Sequence, residues 1–333
     1  MRAAASGPHS FQGTHSSSAD SRATVLCELA AEPALTTTLF PDRLADVVER
    51  KRSQLLVGLD PRPDLLPVEL AGGAHASSEA AADASARFCC GIVDAVAPYA
   101  VGVKPQLAFF EAMGSHGLRA LEEVCAYARS AGLIVLADAK RGDIGSTSRA
   151  YAAAYVEPRG DDPPLADAMT VNPYLGRDSL DPFLRACRRH GAGVFCLVKT
   201  SNEGGADVQD LVLTDGHPVW HHVAVLVHEL GQELVGERGL SSVGAVVGAT
   251  HPRAVGEARR LLPQAILLLP GVGAQGATPA DLARAFTSGP ASALVNASRS
   301  VIYAFRSGQD DWRAAAAAEA ARLRREVWAV SGW

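Results

Sequence analysis

Short apolar runs alternate with longer segments of helical periodicity along most of this chain. The first run, LLVGL at residues 55–59, follows a segment at 42–51 whose apolar side chains share one helical side. Each run ends at Gly, Pro or a polar residue, which is typical of a buried strand that reaches a loop. The pattern predicts eight strands separated by helices, and the later runs begin near residues 100, 133, 166, 193, 243, 266 and 293.

Strands that alternate with helices pair in parallel through right-handed crossovers. Eight such units in about 290 residues predict an α/β fold, the closed (β/α)8 or TIM barrel. A doubly wound open sheet is the alternative, but it usually has fewer strands, and no G-x-G-x-x-G follows the first strand here. We expect one barrel domain over residues 39–333. Residues 1–38 are rich in Ala, Ser and Thr without periodicity, and we expect a mostly disordered extension.

Composition narrows the classes of function. The 333 residues carry a net charge of -5, which gives no basic surface for nucleic acid or for an anionic membrane. No apolar run approaches the roughly 20 residues of a membrane-spanning helix. The amino end has no basic segment followed by a long apolar stretch, so we expect no secretory signal. Six cysteines without C-x-x-C spacing are typical of reduced thiols, and we expect a cytoplasmic protein.

The carboxyl ends of the predicted strands carry the candidate chemistry. In a (β/α)8 barrel these ends meet on one face, where the active sites of this fold lie. Strand three is the richest in charge, because LIVLADAKRGD runs from apolar residues into Asp138, Lys140 and Asp143. Alternate residues of a strand share a face, so Asp138 and Lys140 should point the same way. The other strand ends place further polar residues on the same rim: Asp60, Lys104, Asn172, Thr200, Ser201, Asn296 and Arg299.

Asp138 and its two neighbouring lysines favour proton donation to a carbanion. Carboxylates hold a nearby lysine protonated, whereas a Schiff-base lysine needs a lowered pKa. Lys140 is therefore better suited to donating a proton than to attacking a carbonyl. An ionised Asp138 would repel a substrate carboxylate by about 4 kcal/mol at about 4 Å and an effective dielectric of about 20. Loss of that carboxylate as CO₂ relieves the repulsion, and preorganised charge can stabilise the carbanion without a metal or cofactor.

A phosphate site is predicted in the loops after strands seven and eight. The segment PGVGAQGA at 270–277 brings backbone N–H groups and the Gln275 amide within reach of an anion. The segment NASRS follows strand eight and places Arg299 near a helix start, where a guanidinium can bind phosphate oxygens in bidentate fashion. These two loops form the usual phosphate site of (β/α)8 barrels.

These segments together resemble the orotidine 5′-phosphate decarboxylase family. DAKRGDIGST contains its D-x-K-x-x-D signature, and LLVGLDPR, GVKPQLAFFE, VNPYLG, LVKTSN, PGVGAQG and NASRSVIYA agree in the expected order. The resemblance covers about residues 39–330 and is greatest to the longer bacterial subgroup, although the signature alone is shared with related sugar-phosphate decarboxylases. It implies decarboxylation of orotidine 5′-monophosphate to UMP and CO₂ in pyrimidine biosynthesis, with no cofactor and no metal.

The resemblance also implies a role for each candidate residue. Lys140 protonates carbon six of the pyrimidine as CO₂ departs, Asp138 lies beside the substrate carboxylate, and Lys104 holds Asp138 and the ribose. Asp143 enters the active site of the partner subunit, which implies a homodimer with shared sites. The implied substrate contacts are Asp60 at the ribose, Ser201 at the pyrimidine, Gln275 and Arg299 at the phosphate, and Ile144 and Thr147 beside Asp143.

Several alternatives remain open from the sequence. Thr200 competes with Ser201 for the pyrimidine contact, and residues 202–213 could form either a lid or an ordinary surface loop. A magnesium-dependent sugar-phosphate decarboxylase or aldolase of the same superfamily is the rival enzyme. It needs a further acidic ligand, for which Glu111 is the nearest candidate, whereas we interpret Lys199 as structural. A non-catalytic phosphate-ligand-binding barrel is the remaining alternative, and the converging lysines and carboxylates argue against it.

Overall fold

The computed structural model describes residues 38–73, 76–272, 278–308 and 310–333. Eight parallel strands close into a barrel in chain order, and the last strand pairs with the first. The predicted (β/α)8 barrel is confirmed. The strands are β1 Leu55–Leu59, β2 Gly102–Pro105, β3 Ile134–Arg141, β4 Ala168–Val171, β5 Gly193–Lys199, β6 Ser241–Val247, β7 Ala265–Pro270 and β8 Ala293–Ala297. The predicted extension at 1–38 falls, except for residue 38, outside the described residues.

Helices follow the strands in the expected alternation. The long helical segment before β6 is divided into an α-helix and a 3-10 turn, and a 3-10 helix, Pro279–Phe286, follows β7. The α-helices are α1 Phe40–Lys51, α2 Val68–Ala71, α3 Ser78–Val96, α4 Leu107–Glu111, α5 Gly114–Ser130, α6 Gly145–Tyr155, α7 Arg177–His190, α8 Ala206–Gln209, α9 Val219–Gly231, α10 Pro252–Leu261, α11 Arg299–Ile302 and α12 Trp312–Ser331.

Local chemistry sets several of these element ends. The Ser77 hydroxyl accepts the N–H of Ala80 and caps α3, and the Asp311 carboxylate caps α12 in the same way. The second predicted strand begins two residues later than expected, at Gly102, because its ladder with β1 starts there.

Within the described ranges, none of the helices combines the length and hydrophobicity of a membrane span.

Helix α1 fills the amino-terminal end of the barrel. Its fully buried residues Phe40, Leu44 and Val48 pack with inward-facing strand side chains that include Leu56 and Phe195. The rings of Phe40 and Phe195 meet edge to face with their centroids 6.0 Å apart. This packing closes the end of the barrel opposite the carboxyl ends of the strands, so those ends are left to form an open site.

A second core lies between the barrel and its surrounding helices. The outward-facing residues of the strands, such as Val57 and Val135, pack against helix residues that include Phe88, Phe183 and Val227, all fully buried. Strands buried on both faces explain why the sequence shows continuous apolar runs rather than an alternating pattern.

Replacing Phe40 by Ala should lower the free energy of unfolding by about 3–5 kcal/mol, because the cavity it leaves lies among closely packed side chains. Val68, which is 89% exposed, provides the control, and Val68→Ala should change stability by less than about 0.5 kcal/mol. Urea denaturation measures both values. Equal small losses in the two variants would show that α1 does not close the barrel core.

Candidate active site

A cavity of about 640 Å³ opens at the carboxyl ends of the strands. One part of its lining is polar and includes Lys104, Asp138, Thr170 and Asn296, whereas another part is apolar. The apolar part consists of side chains such as Leu197, Val246 and Leu268. A ligand in this cavity therefore meets charge on one side and hydrocarbon on the other.

The Asp138 carboxylate is the centre of the polar side. Its Oδ2 accepts hydrogen bonds from the Lys104 ammonium at 2.6 Å and from the Gln106 amide at 3.0 Å. Its Oδ1 accepts from the Lys140 ammonium at 2.5 Å and from the Thr170 hydroxyl at 3.0 Å. Each carboxylate oxygen thus has one charged and one neutral donor, which fixes the plane of the carboxylate.

Burial and neighbouring charges shift the pKa values of Asp138 and Lys104 in opposite directions. Burial alone would raise the pKa of Asp138, but the ammonium groups of Lys104 and Lys140 and their hydrogen bonds hold it well below its usual range. Burial likewise opposes the charge on Lys104, whose pKa is nevertheless raised by Asp138 and Asp60. Only 5% of Lys104 and 7% of Asp138 are exposed. The pair therefore remains ionised in a nearly dry environment.

Strand β3 is irregular where it presents Lys140. Its register with β4 shifts between Ala137 and Arg141, and Lys140 has a φ of 47°. The left-handed conformation costs a residue with a side chain about 1–2 kcal/mol. Asp138 and Lys140 do meet in the cavity, but simple strand alternation does not describe the backbone that brings them together. Arg141 is the last residue of this strand.

Asp60 is held at the rim by β8 and the residues that follow it. The Ser298 hydroxyl donates to one oxygen of the Asp60 carboxylate, and the Tyr303 hydroxyl donates to its backbone carbonyl at 2.9 Å. The other carboxylate oxygen of Asp60 is buried and has no partner among the described residues. The amide oxygen of Asn296, in the same cavity, is also without one there. Both acceptors are available to hydroxyl groups of a ligand.

The predicted phosphate loops are only partly described. Arg299 is exposed at the first residue of α11 and lines the cavity together with Pro270 and Gly271. Gln275 lies outside the described residues. The structure therefore places one of the two predicted phosphate contacts at the mouth of the cavity.

Thr200 and Ser201, in the loop after β5, differ in the hydrogen bonds of their hydroxyl groups. Both residues line the cavity. The Thr200 hydroxyl accepts from the Gln209 amide at 2.8 Å and donates to Asn202 at 2.7 Å. Among the described residues, the Ser201 hydroxyl takes part in no such bond. Lys199 points elsewhere and binds both carboxylate oxygens of Asp210 at 2.7 Å, which agrees with a structural role.

Asp143, Ile144 and Thr147 do not line the cavity of their own chain. They lie in the turn after β3 and the first residues of α6, and the Asp143 carboxylate accepts the N–H of Ile144 at 2.7 Å. The Ile144 side chain is 58% exposed. These three residues of the D-x-K-x-x-D region therefore do not contribute to the cavity around Asp138 and Lys140 in their own chain.

Gln106 and Thr170 are site residues that our sequence prediction missed. Gln106 follows Lys104 by two positions, so alternation could have suggested a common face. Thr170 is a polar residue within the otherwise apolar β4, which is a weaker signal. Asn172, which we expected at the rim, instead accepts the N–H of Tyr174 and caps the short turn after β4.

Glu111 is not placed as a metal ligand. Its carboxylate pairs with the Arg141 guanidinium, which also donates to the Tyr155 hydroxyl at 3.1 Å and lies over the Tyr151 and Tyr155 rings. Across the described parts of the chain, no group of three or more His, Cys, Asp and Glu side chains is arranged to hold a metal ion. Asp138 is already surrounded by four donors. The described residues thus do not form the acidic site that the magnesium-dependent rival needs.

The geometry defines a (β/α)8-barrel enzyme with a lysine–carboxylate centre, and comparisons with known proteins identify its family. The model of the orotidine 5′-phosphate decarboxylase / HUMPS family matches residues 53–314. An orotidine 5′-phosphate decarboxylase from Rhodopirellula baltica is 47% identical over 270 residues, which cover 80% of this chain and 89% of that protein. One from Deinococcus radiodurans is 45% identical over 269 residues and covers 80% and 90%, respectively.

Solved structures agree with the sequence relatives. A crystal structure from Streptomyces avermitilis, provisionally named orotidine 5′-phosphate decarboxylase, has a TM-score of 0.73 and 39% identity, covering 89% of this chain and 97% of that one. The OMP decarboxylase of Leishmania donovani has a TM-score of 0.66 and 31% identity, with 88% and 99% covered. This chain belongs to the orotidine 5′-phosphate decarboxylase family. The predicted enzyme, which converts orotidine 5′-monophosphate to UMP, is confirmed at this level.

The lowered pKa of Asp138 predicts how stability depends on pH. The ionised carboxylate stabilises the fold fully above its ordinary pKa of 3.8, and this contribution is lost as the pH falls toward the lowered native value. Asp138→Asn removes this contribution and leaves the Lys104 ammonium buried without its Asp138 carboxylate partner. The free energy of unfolding of the variant should be lower than that of the unmodified chain by about 3–5 kcal/mol at about pH 7. This difference should be smaller at about pH 3.

Urea denaturation at the two pH values measures this change. Asp161, an exposed aspartate, provides the matched control, because Asp161→Asn should leave stability nearly unchanged at both. A deficit of Asp138→Asn that is equal at the two pH values would contradict the buried, ionised carboxylate.

Proposed function

We propose that the buried pair of Lys104 and Asp138, together with the solvent-accessible Lys140, performs the decarboxylation of orotidine 5′-monophosphate to UMP and CO₂ without a cofactor. The observation that carries this proposal is the Asp138 carboxylate, 7% exposed and bonded to two ammonium groups inside the cavity. A dry, preorganised set of charges stabilises charge that develops during a reaction far more than water does.

Substrate binding places the reacting carbon over the cluster. Arg299 and Gln275 hold the phosphate, and the unpartnered oxygen of Asp60 accepts a ribose hydroxyl. Ser201 contacts the pyrimidine, since its hydroxyl is available in the described structure whereas that of Thr200 is bonded to its neighbours. These contacts supply binding energy far from the reacting bond, which can be used to position the substrate carboxylate against Asp138.

The chemical step separates charge and then restores it. The bond between carbon six and the carboxylate breaks, CO₂ leaves, and the electron pair remains on carbon six. The Lys140 ammonium stabilises this carbanion and then donates a proton to it, which gives UMP and a neutral Lys140 amine. The Lys140 side chain is 45% exposed, so solvent can return the proton. Lys104 remains paired with Asp138 throughout and keeps the carboxylate ionised.

A homodimer completes each site in this proposal. Asp143, Ile144 and Thr147 do not line the cavity of their own chain, and the exposed Ile144 side chain is suited to burial against a second copy of the chain. We propose that these residues enter the partner's site, and that residues 202–213 cover the base as a lid. We also propose that residues 39–333 act as one domain in the cytoplasm, where the five described cysteines would remain free thiols.

Lys140→Ala should abolish decarboxylation while UMP still binds, because the proton donor is lost and the phosphate and ribose contacts remain. Loss of a proton donor alone costs about 10²–10⁴-fold in rate, and loss of its charge beside the carbanion adds to this. The measurements are the absorbance decrease on incubation with orotidine 5′-monophosphate and calorimetric titration with UMP. Near-normal turnover by Lys140→Ala would overturn the mechanism. Arg324→Ala, on the closing helix α12, serves as the control and should retain activity.

Mixed dimers test the shared site. Asp143→Ala and Lys140→Ala subunits should each be nearly inactive alone, since every site of either homodimer lacks one component. A heterodimer of the two has one site with both changes and one with neither, so it should recover up to about half of the unmodified activity. Differently tagged subunits allow the heterodimer to be purified and assayed. If verified heterodimers recover no activity, Asp143 does not enter the site of the partner subunit.

A further inference from the structure

We infer that Thr170 is a positioning residue that keeps Lys140 and Asp138 in fixed positions relative to each other during the reaction. The inference rests on the proposed function, since it assigns Thr170 a task in the step that Lys140 performs. Thr170 lies on β4 and is 1% exposed. It acts through Asp138 and Lys140 rather than on the substrate.

The Thr170 hydroxyl bridges the backbone of Lys140 and the side chain of Asp138. Its oxygen lies 2.9 Å from the Lys140 backbone nitrogen and 3.0 Å from Asp138 Oδ1. A backbone N–H can only donate, so the hydroxyl accepts from Lys140. Its single proton is then directed to the carboxylate. The hydroxyl is the only one of the Asp138 partners in the described structure that also binds the backbone of Lys140.

This bridge occurs where the regular strand pairing fails. Ala137 is paired with Met169 and Arg141 with Val171, so three residues of β3 lie opposite Thr170 alone. The Lys140 N–H there finds a side-chain oxygen instead of a carbonyl of the neighbouring strand. The bond therefore fixes the backbone at the residue whose φ is 47°, and this conformation determines where the Lys140 ammonium lies.

The close packing of the next residues maintains the same bulge. The Asn172 N–H donates to the Arg141 carbonyl at 2.8 Å, and a Cβ at Gly142 would lie 2.8 Å from the Asn172 carbonyl oxygen. Any residue with a Cβ at position 142 would therefore clash with the Asn172 backbone, so this close approach requires glycine. Thr170 of β4 and Asn172, which follows that strand, thus both bind β3 beside its irregular residues.

The bridge matters most when Lys140 has given up its proton. The ammonium of Lys140 then becomes an amine, and its attraction to Asp138 is lost. The two bonds of Thr170 involve neither that proton nor the charge of Lys140, so they remain. Thr170 therefore keeps Lys140 in place for reprotonation and for the next turnover. Gln106 and Lys104 perform no such task, because in the described structure their side chains bind Oδ2 of Asp138 and not the backbone of Lys140.

Thr170→Val tests the inference, because valine has nearly the same shape but neither accepts from Lys140 nor donates to Asp138. We expect kcat to fall by about 10- to 100-fold, as small displacements of a catalytic group do, with KM and UMP affinity changed by less than about twofold. Thr170→Ser retains the hydroxyl and should recover kcat to within about threefold of the unmodified chain. Thr250→Val is the control, since the Thr250 hydroxyl has no partner among the described residues, and should leave kcat unchanged.

Thr170→Ala provides a second comparison if the valine variant does not fold, because Ala and Ser at this position differ by the hydroxyl alone. An equal kcat in the Ala and Ser variants, or a change confined to KM, would overturn the inference. Turnover by the unmodified chain separates the two proposals. If it is active and Thr170→Val is equally active, only the role of Thr170 fails; if it is inactive on orotidine 5′-monophosphate, the proposed function fails as well.

Discussion

One buried carboxylate organises this protein: that of Asp138, which forms ion pairs with the buried ammonium group of Lys104 and the more exposed one of Lys140. Removing such charges from water is costly, and the cost is offset only when every hydrogen-bonding position is used. Three consecutive strands meet this requirement, since β2 supplies Lys104, β3 supplies Lys140 and β4 supplies Thr170. Closure of the barrel in chain order is what brings these strands side by side.

The same constraint explains why β3 is locally strained at the site. Helix α1 and the inward-facing strand residues fill the amino-terminal end with close-packed hydrocarbon, which keeps the strands fixed. At the opposite end, β3 loses its register with β4, and Lys140 adopts a left-handed backbone conformation. Strain of this kind persists only where surrounding structure determines it, and it is concentrated at the residue that we propose as the proton donor.

Much of this arrangement could be predicted from the sequence, for physical reasons. Eight apolar runs ending in polar residues determine a barrel and its functional face, because strand ends in that fold converge. Their spacing predicted that Asp138 and Lys140 would lie close together, although the backbone that brings them together is not that of a regular strand. The bulge at Lys140 could not be predicted, since it depends on β4, which is distant in sequence, and Thr170 was missed for the same reason. The spacing of Gln106 from Lys104 did carry a signal, which our sequence prediction overlooked. The crossing of Asp143 depends on a second chain, and it stays a prediction.

The central claim is that fixed charges alone carry the reaction, and one measurement tests it most directly. The absorbance decrease of orotidine 5′-monophosphate is followed with the unmodified chain before and after exhaustive treatment with a chelator. We predict the same rate of conversion to UMP in both cases, because Asp138 is occupied by four donors and Glu111 is paired with Arg141. Activity that disappears with the chelator and returns with added magnesium would contradict the account.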